Sequence, residues 1–387
     1  MTTLPVRTIR RTLWFLAAAA GLAVANLYYA QPLAATMATS FGVSARALGA
    51  ALTLSQVGYA LGMLLLVPLG DGRERRSLMV ATALAASVAL LATAAAPDYT
   101  LLAASSLVLG FASSLPQMIV PYAASLVPAE ERGGAIGMVM GGLLTGILLS
   151  RTLSGTLSSV IGWRATFAFA AGLMAVLAGL LRLLLARQSP AEPLPWLTII
   201  RSLGGLVRSE RLLRLHALVG AMGFACFSAF WSTLSFHLAT LGYGSRAAGL
   251  FGAVGIVGVA AAPVAGRLAE RVQPALINAV GLLASALGFV LFLASARSLL
   301  ILGLGVVLLD AGVQASHLAN QTVIFGLAPE RRNRLNAVYM VSYFVGGAVG
   351  TAAASVAWSR WGWTGVCVTG IAFALAGIVP LRGAVRS

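Results

Sequence analysis

The chain has 387 residues, of which 59% are hydrophobic and only 9% are charged, and its mean hydropathy is +0.92. An ordinary soluble domain carries about a quarter charged residues, so this composition excludes a soluble globular protein and predicts a membrane protein. The formal net charge is +16, and all 26 basic residues are arginines. Their placement, described below, argues against a nucleic-acid partner.

Twelve apolar stretches recur along the chain, and each is long enough to cross a bilayer as a helix, which takes about 18 residues or more. They cover residues 12–36, 45–70, 77–96, 99–126, 134–159, 164–187, 212–240, 246–269, 275–296, 298–327, 334–358 and 363–382. The first stretch could pass for a signal peptide, but eleven more follow it, so we expect an uncleaved first helix. The sequence thus predicts an all-α membrane protein with twelve transmembrane helices.

Arginine is concentrated on one side of the predicted bundle. The amino terminus, the even-numbered connections and the carboxyl tail hold 20 of the 26 arginines, the odd-numbered connections hold five, and Arg151 lies inside a stretch. Positive charge collects on the cytoplasmic side of membrane proteins. We therefore expect both termini in the cytoplasm and a location in the bacterial inner (plasma) membrane.

The chain repeats itself at a period near 200 residues. Three pairs of landmarks share this offset: Asp71 with Glu270, Pro128 with Pro329, and Gly162-Trp163 with Gly362-Trp363. Their separations are 199, 201 and 200 residues. One offset at three landmarks predicts two pseudo-symmetric six-helix bundles in parallel orientation, a transporter plan that places the substrate site near the bilayer midplane between them.

The longest connection, residues 188–211, joins the predicted bundles at 1–187 and 212–387. It begins with three prolines and continues with apolar side chains at helical spacing from Trp196 to Val207. This pattern is typical of a helix that lies in the cytoplasmic membrane interface, and a solvated linker is the alternative.

Two motifs carry a family resemblance. Residues 26–33 read Asn-Leu-Tyr-Tyr-Ala-Gln-Pro-Leu, and residues 66–71 read Leu-Val-Pro-Leu-Gly-Asp, followed by Arg75 and Arg76. They resemble motifs of the major facilitator superfamily, in particular a bacterial branch of drug:proton antiporters and arabinose-efflux-like permeases. The resemblance covers essentially the whole chain and implies the major facilitator fold, in which spans one, four, seven and ten line a central cavity.

Only two charged residues, Arg151 and Asp310, fall well inside apolar stretches, the fifth and the tenth. A lone charge in hydrocarbon costs about 2.5–3.5 kcal/mol even on lenient insertion scales, so a retained one predicts a function. Asp310 is the candidate for taking up and releasing the coupled proton, and a fixed salt bridge with Arg151 is the alternative. Arg151 could bind an anionic group of the substrate, or it could be a partner that locks two helices together.

Further candidates lie on the predicted cavity walls. Gln314, His317 and Gln321 follow Asp310 at offsets of 4, 7 and 11, so they share its helical face. His317 could relay protons, or it could be a neutral histidine bound to a backbone carbonyl. Other candidates for substrate contact are Asn26, Tyr29, Gln31, Gln56, Gln117, Trp231, Tyr339 and Tyr343. Interhelical hydrogen bonding and ordinary packing are the alternatives for these side chains.

Four charged residues at the predicted cytoplasmic ends of spans are candidates for a gate: Asp71, Arg75, Arg76 and Glu270. The resemblance places Asp71 by the amino end of span eleven and Glu270 by that of span five, where the helix dipole stabilises a carboxylate. Such contacts would close the cytoplasmic side and break as the halves rock. The arginines also set the topology.

The sequence and the resemblance together predict a proton-coupled secondary transporter that exports a small organic solute, such as a drug-like compound, sugar or metabolite. The alternatives are proton-coupled nutrient uptake and a substrate-sensing or lipid-handling membrane protein without transport. We expect a monomer whose partners are the small-molecule substrate, protons and membrane lipid, with no cofactor, metal or nucleic acid. No nucleophile and base pair or metal cluster stands out, so an enzyme is not expected, and no phosphate-binding loop is found, so nucleotide-driven pumping is not expected.

Overall fold

The computed structural model describes residues 6–71, 73–188, 196–260, 272–295, 298–327 and 331–383. Every regular element in these ranges is a helix. The α-helices are α1 (Val6–Ala25), α2 (Ala34–Phe41), α3 (Ala45–Leu65), α4 (Arg75–Ala95), α5 (Tyr99–Ala112), α6 (Pro116–Ser125), α7 (Arg132–Ile161), α8 (Trp163–Leu184), α9 (Trp196–Ser209), α10 (Arg211–Thr240), α11 (Ser245–Ala260), α12 (Pro274–Ala294), α13 (Leu299–Leu327) and α14 (Arg332–Ile378). Short 3-10 helices occupy Val67–Asp71, Ala129–Glu131 and Val379–Gly383.

Nine helical segments of the described residues are long and apolar enough to cross a membrane. The last, Arg334–Leu381, has 48 residues and covers two predicted spans, because α14 continues through a kink at Gly362. The first predicted span is divided between α1 and α2, and of the eighth the structure describes only the part in α11, since residues 261–269 lie outside the described residues. The helices therefore agree with a twelve-span protein.

Two of the predicted spans contain a break in the α-helix. Residues 26–33 separate α1 from α2, and residues 113–115 separate α5 from α6. In the first break, the backbone N–H groups of Leu27 and Gln31 donate to carbonyls three residues earlier, each at 3.2 Å. The backbone thus stays hydrogen-bonded where the α-helix stops, as a membrane requires.

The connections at one end of the bundle repeat at the predicted offset. Positive φ values occur in the described residues at Gly42 (63°), Gly162 (81°), Gly242 (85°) and Gly362 (58°). These glycines form two pairs separated by 200 residues, and side chains with a Cβ rarely adopt this conformation. Both halves therefore turn between helices with the same glycine geometry.

Helices pack closely within each half and more selectively between halves. In the first half α1 packs on α7, α3 on α5 and α4 on α8; in the second, α10 packs on α14 and α12 on α13. The main contacts between halves are α3 with α14 and α7 with α11. Glycine permits the second contact, because a Cβ at Gly155 of α7 would lie 2.5 Å from the Ser245 carbonyl oxygen of α11.

The bundle has a terminal side, where α1 and α10 begin, and an opposite side, where α2 and α10 end. Contacts between the halves extend from the middle to the opposite side. There the Ala35 N–H donates to Ser235 Oγ at 3.3 Å, and Thr152 Oγ1 donates to the Gly249 carbonyl at 3.0 Å. The halves are therefore in contact on the opposite side.

The linker contains the predicted helix. Ile199, Leu203 and Leu206 are its buried residues, and the indole N–H of Trp196 donates to the Leu65 carbonyl at 3.0 Å. These contacts attach α9 to the end of α3.

Candidate functional site

Asp310 lies near the middle of α13 and is buried, with 2% of its surface exposed. Its Oδ1 accepts a hydrogen bond of 3.2 Å from the indole Nε1–H of Trp231 in α10. Gly255 of α11 allows the other oxygen to approach, since a Cβ there would lie 2.5 Å from Oδ2. Two helices of its own half therefore enclose the carboxyl group.

Arg151 lies in α7 and is almost completely buried, with 1% of its surface exposed. Its Cζ is 4.2 Å from the centre of the Trp231 ring, 4.7 Å from that of Tyr28 and 5.2 Å from that of Phe227. Its Nε donates a hydrogen bond of 2.7 Å to Gln31 Oε1. Rings from both halves thus hold the guanidinium at their junction, where the π faces stabilise its charge.

Arg151 and Asp310 are not joined by an ion pair in the described part of the chain. The face of the Trp231 indole contacts the guanidinium, and its N–H edge contacts the carboxyl group. The two groups remain close enough to interact electrostatically. The direct salt bridge that the sequence left open is therefore absent from this conformation, and Trp231 connects the two groups instead.

Gln56 of α3 joins the two halves. Its Nε2 donates to Ser228 Oγ of α10 at 3.3 Å and to Thr351 Oγ1 of α14 at 3.1 Å, and all three side chains are buried. Its Oε1 is buried without a hydrogen-bond partner. Gln56 thus serves as an interhelical link in this conformation, with one acceptor left over.

His317 belongs to an aromatic cluster. Its Nδ1 is 2.8 Å from the Tyr339 hydroxyl, and its ring centre is 4.7 Å from that of Tyr343. Tyr343 in turn stacks on Phe224 of α10 at 4.2 Å. The partner of His317 Nδ1 is thus a phenol rather than a backbone carbonyl.

The remaining polar residues of α13 have separate surroundings. Gln321 Nε2 donates to Asn336 Oδ1 of α14 at 3.5 Å, whereas Gln314 is half-buried and has no side-chain hydrogen bond in the described residues. Nearby, His216 Nδ1 of α10 is 2.7 Å from Asn320 Oδ1, and both side chains are buried. The polar residues that share one face of α13 therefore do not form a single site, because they contact different residues of α10 and α14.

In the first half, the amide of Asn26 has unused bonding capacity at both of its polar atoms. It is 3% exposed, yet neither Nδ2 nor Oδ1 has a hydrogen-bond partner in the structure. Tyr29, in the same break, is also buried. Gln117 Nε2 donates to the Tyr59 hydroxyl at 3.3 Å, and the Tyr59 ring lies 4.1 Å from that of Phe344 in α14. Asn26 therefore remains an available donor and acceptor in the first half.

The predicted gate residues are described only in part. Glu270 and the side chain of Asp71 lie outside the described residues. Arg75 Nε donates to the Gly70 carbonyl at 3.3 Å, and Arg76 Nη1 donates to a carbonyl just past the end of α8 at 3.2 Å. These bonds connect the start of α4 to neighbouring segments of the same half.

Glu74 is a polar residue of this region that the sequence reasoning missed. It caps α4, because its carboxylate accepts from the N–H groups of Arg76 and Ser77 at 2.9 Å each and from that of Gln188 at 3.2 Å. Burial alone would raise the pKa of Glu74, but hydrogen bonds from Ser77, Arg76 and Gln188 hold it below its usual 4.5. The usual N-cap residues are Ser, Thr, Asp and Asn, so Glu74 gives no such signal; only the stabilisation of a carboxylate by the positive end of the helix dipole could have drawn attention to it.

Tyr28 and Phe227 are the two rings around Arg151 that sequence reasoning also missed. Tyr28 lies within the motif at 26–33, but aromatic residues are common in apolar spans. Residue spacing predicts how deep in the membrane a side chain lies and on which face of its helix it is. Which neighbouring helix that face contacts depends on how the helices pack.

Comparison with known proteins identifies relatives over nearly the whole chain. Residues 13–317 match the sequence profile of the Major Facilitator Superfamily. The chain is 40% identical over 363 residues to the putative uncharacterized transporter YgaY of Escherichia coli (strain K12), covering 93% of this chain and 92% of that protein. It is 30% identical over 250 residues to the chloramphenicol resistance protein of Streptomyces lividans, covering 63% of this chain and 62% of that protein.

A solved structure shares the fold. The crystal structure of a bacterial homolog to the human lysosomal transporter Spinster, in an inward-facing and unoccupied conformation, has a TM-score of 0.76 at 16% identity. The match covers 98% of this chain and 96% of that chain.

Proposed function

Because this chain belongs to the Major Facilitator Superfamily, we propose that it is a proton-coupled transporter that exports a small organic solute by alternating access. The family and the names of the relatives indicate a multi-pass membrane transporter rather than an enzyme. We place it in the bacterial inner membrane with both termini in the cytoplasm, following the arginine distribution.

The observation that carries proton coupling is the environment of Asp310. This carboxyl group is buried, has no ion pair in the described residues and accepts one hydrogen bond from Trp231. Removing one partner of a buried ion pair costs about 3–5 kcal/mol. A carboxylate in such a pair would therefore stay ionised. A carboxyl group held by a single indole N–H can instead bind and release a proton as its surroundings change.

Export is supported by the motif at residues 26–33 and by the chloramphenicol resistance protein among the relatives. We propose a solute of drug size in the junction between the halves, where Trp231 and Tyr343 offer aromatic walls. A proton that moves down the membrane potential supplies about 2.3 kcal/mol per 100 mV for this work. In the proposed topology, contact on the opposite side corresponds to closure toward the outside.

The test measures proton movement in proteoliposomes that contain the full chain and an internal pH indicator. Chloramphenicol, pentoses, nucleosides and amino acids are applied outside as a panel of probes. Exchange requires protons to leave as the solute enters, so the lumen becomes alkaline. Cotransport carries both inward, so the lumen becomes acidic.

Asp310→Asn should abolish this pH change while exchange of solute for solute continues, because the amide cannot carry the proton. The matched control is Glu131→Gln, which removes an exposed carboxylate from the connection before α7 and should leave the pH change intact. An undiminished pH change in Asp310→Asn would remove Asp310 from the mechanism.

Cotransport of a proton and a solute into the cell is a second candidate, and Arg151 is the observation that favours it. Its positive charge has no ion-pair partner in the described residues, so ionised Asp310 is the charge that balances it across Trp231. Once Asp310 is protonated, an anionic solute would have to balance the positive charge of Arg151. The direction of the pH change in the proteoliposomes separates the two candidates.

A further inference from the structure

Arg151 has bonding capacity that nothing in the structure uses. Among the residues that the structure describes, its buried Nη2 has no hydrogen-bond partner, and its Nη1 has one acceptor, the Ile147 carbonyl of its own helix, at 3.5 Å. A guanidinium stays charged in proteins, and buried charges are normally paired. A buried donor that lacks an acceptor costs about 1–3 kcal/mol, and more when it is charged. An acceptor that is absent from the chain itself would remove this cost.

The surroundings of Arg151 orient its unused edge. Gln31 occupies the Nε side at 2.7 Å, while the rings of Tyr28, Phe227 and Trp231 surround the guanidinium. The edge of the guanidinium formed by its two Nη atoms therefore lacks a good acceptor. Such a pair of parallel N–H donors matches the two oxygens of a carboxylate.

The adjoining surface indicates the rest of the ligand. From Phe227 the aromatic wall continues to Phe224, with ring centres 5.4 Å apart, and from there to Tyr343 at 4.2 Å. These stacked rings form an aromatic cluster next to the cation. We propose that Arg151 is the binding residue for the carboxylate of an organic acid whose body is aromatic. The proposal rests on the proposed function in one respect, namely that the solute occupies the junction between the halves.

The proposal links the charge of the solute to the sign of the coupling. A carboxylate on Arg151 together with ionised Asp310 gives the junction a net negative charge, whereas protonated Asp310 leaves it neutral. A monoanion and a proton therefore favour each other's binding, which is the condition for cotransport. A zwitterion whose ammonium group contacts Asp310 would instead compete with the proton, which is the condition for exchange.

The experiment compares four phenyl compounds that differ in charge: 3-phenylpropionate, phenylalanine, phenethylamine and the uncharged 3-phenylpropanamide. Each is added at millimolar concentration to the purified full chain in detergent, and the melting temperature is measured, since a ligand that binds the folded state raises it. We expect at least one of the two carboxylates to raise the melting temperature and the amide and the amine to leave it unchanged. Equal shifts from the carboxylates and the amide, or no shift from either carboxylate, would overturn the proposal.

Two variants assign the effect to Arg151. Arg151→Gln should abolish the carboxylate shift, and Arg151→Lys, which keeps the charge but loses the fork, should weaken the affinity about tenfold. The matched control is Arg360→Gln, which removes an exposed arginine whose Cζ lies 5.9 Å from the Trp361 ring and should keep the full shift. If Arg151→Gln does not fold, the comparison of carboxylate with amide in the wild-type protein still decides the question.

These experiments distinguish a failure of carboxylate binding at Arg151 from a failure of proton coupling. Carboxylates that bind through Arg151 without any proton movement in proteoliposomes would contradict the proposed function and leave the binding site in place. Proton movement driven by uncharged solutes, with no carboxylate shift, would contradict the binding site and leave the proposed function in place.

Discussion

Replacing Gly155 with alanine should drive the halves apart on the opposite side of the bundle. The new Cβ would lie 2.5 Å from the Ser245 carbonyl oxygen and 2.8 Å from Gly249 Cα, whereas ordinary contact begins at 3.4 Å. The partner atoms belong to the backbone, so α7 and α11 have to separate by roughly 0.9 Å at this point. Overpacking of this kind costs about 1–3 kcal/mol, which corresponds to a change of about 5-fold to 150-fold in the ratio of closed to open conformers.

The assay measures the distance between spin labels at Ser40→Cys and Ser359→Cys by electron–electron resonance. Both positions are exposed on the opposite side, one at the end of α2 and one in α14, and the native cysteines are buried. The control is Gly172→Ala in α8, where a Cβ meets nothing within 4 Å. Gly155→Ala should enrich the long distance and Gly172→Ala should not. A lower melting temperature in Gly155→Ala with an unchanged distance distribution would refute the reasoning.

Two further predictions concern the stability of the first half. Gly142→Ala should lower the melting temperature, because its Cβ would overlap the Ala17 carbonyl oxygen, whereas the Cβ of Gly141→Ala meets nothing within 4 Å and should have no such effect; equal effects of the two neighbours would contradict the packing of α1 on α7. Glu74→Gln should lower the melting temperature at neutral pH, since hydrogen bonds hold the pKa of Glu74 below 4.5 despite the opposing effect of burial. That stabilisation is complete above pH 4.5 and is lost as the pH falls through the folded-state pKa, so the two proteins should converge in acid, and a constant difference would count against this role.

Hydropathy was sufficient to predict the helical membrane fold, because each span must present apolar side chains to lipid whatever its neighbours are. The 200-residue repeat was also readable, since its turns depend on glycines such as Gly162 and Gly362 that only a few residue types can replace. The break at residues 26–33 was missed although Pro32, which lacks a backbone donor, lies within it.

The composition of the site was predictable, but its connections were not. Arg151 and Asp310 stood out because charge is expensive in hydrocarbon, and Trp231 was among the predicted aromatic walls. The indole lies between the two groups because of how α7, α10 and α13 are rotated and packed. Residue spacing within one helix does not determine this rotation or packing. The same limit explains why the sequence left Gln56 open to substrate contact or interhelical hydrogen bonding, and could not name its two partners in the other half.

The strengths of these contacts suit the proposed cycle, in which the halves separate and rejoin. A hydrogen bond such as those of Gln56 contributes about 0.6 kcal/mol on average inside a membrane. The rings of Phe227 and Trp231, which lie across the junction from Arg151, contribute roughly 0.5–2 kcal/mol each. Each contact alone is smaller than the roughly 2.3 kcal/mol that one proton supplies at 100 mV, which is the driving force of the proposed cycle. Leaving a buried charge without its ion-pair partner costs about 3–5 kcal/mol. Because Trp231 lies between Arg151 and Asp310, separation of the halves in the proposed cycle breaks no ion pair between these two residues.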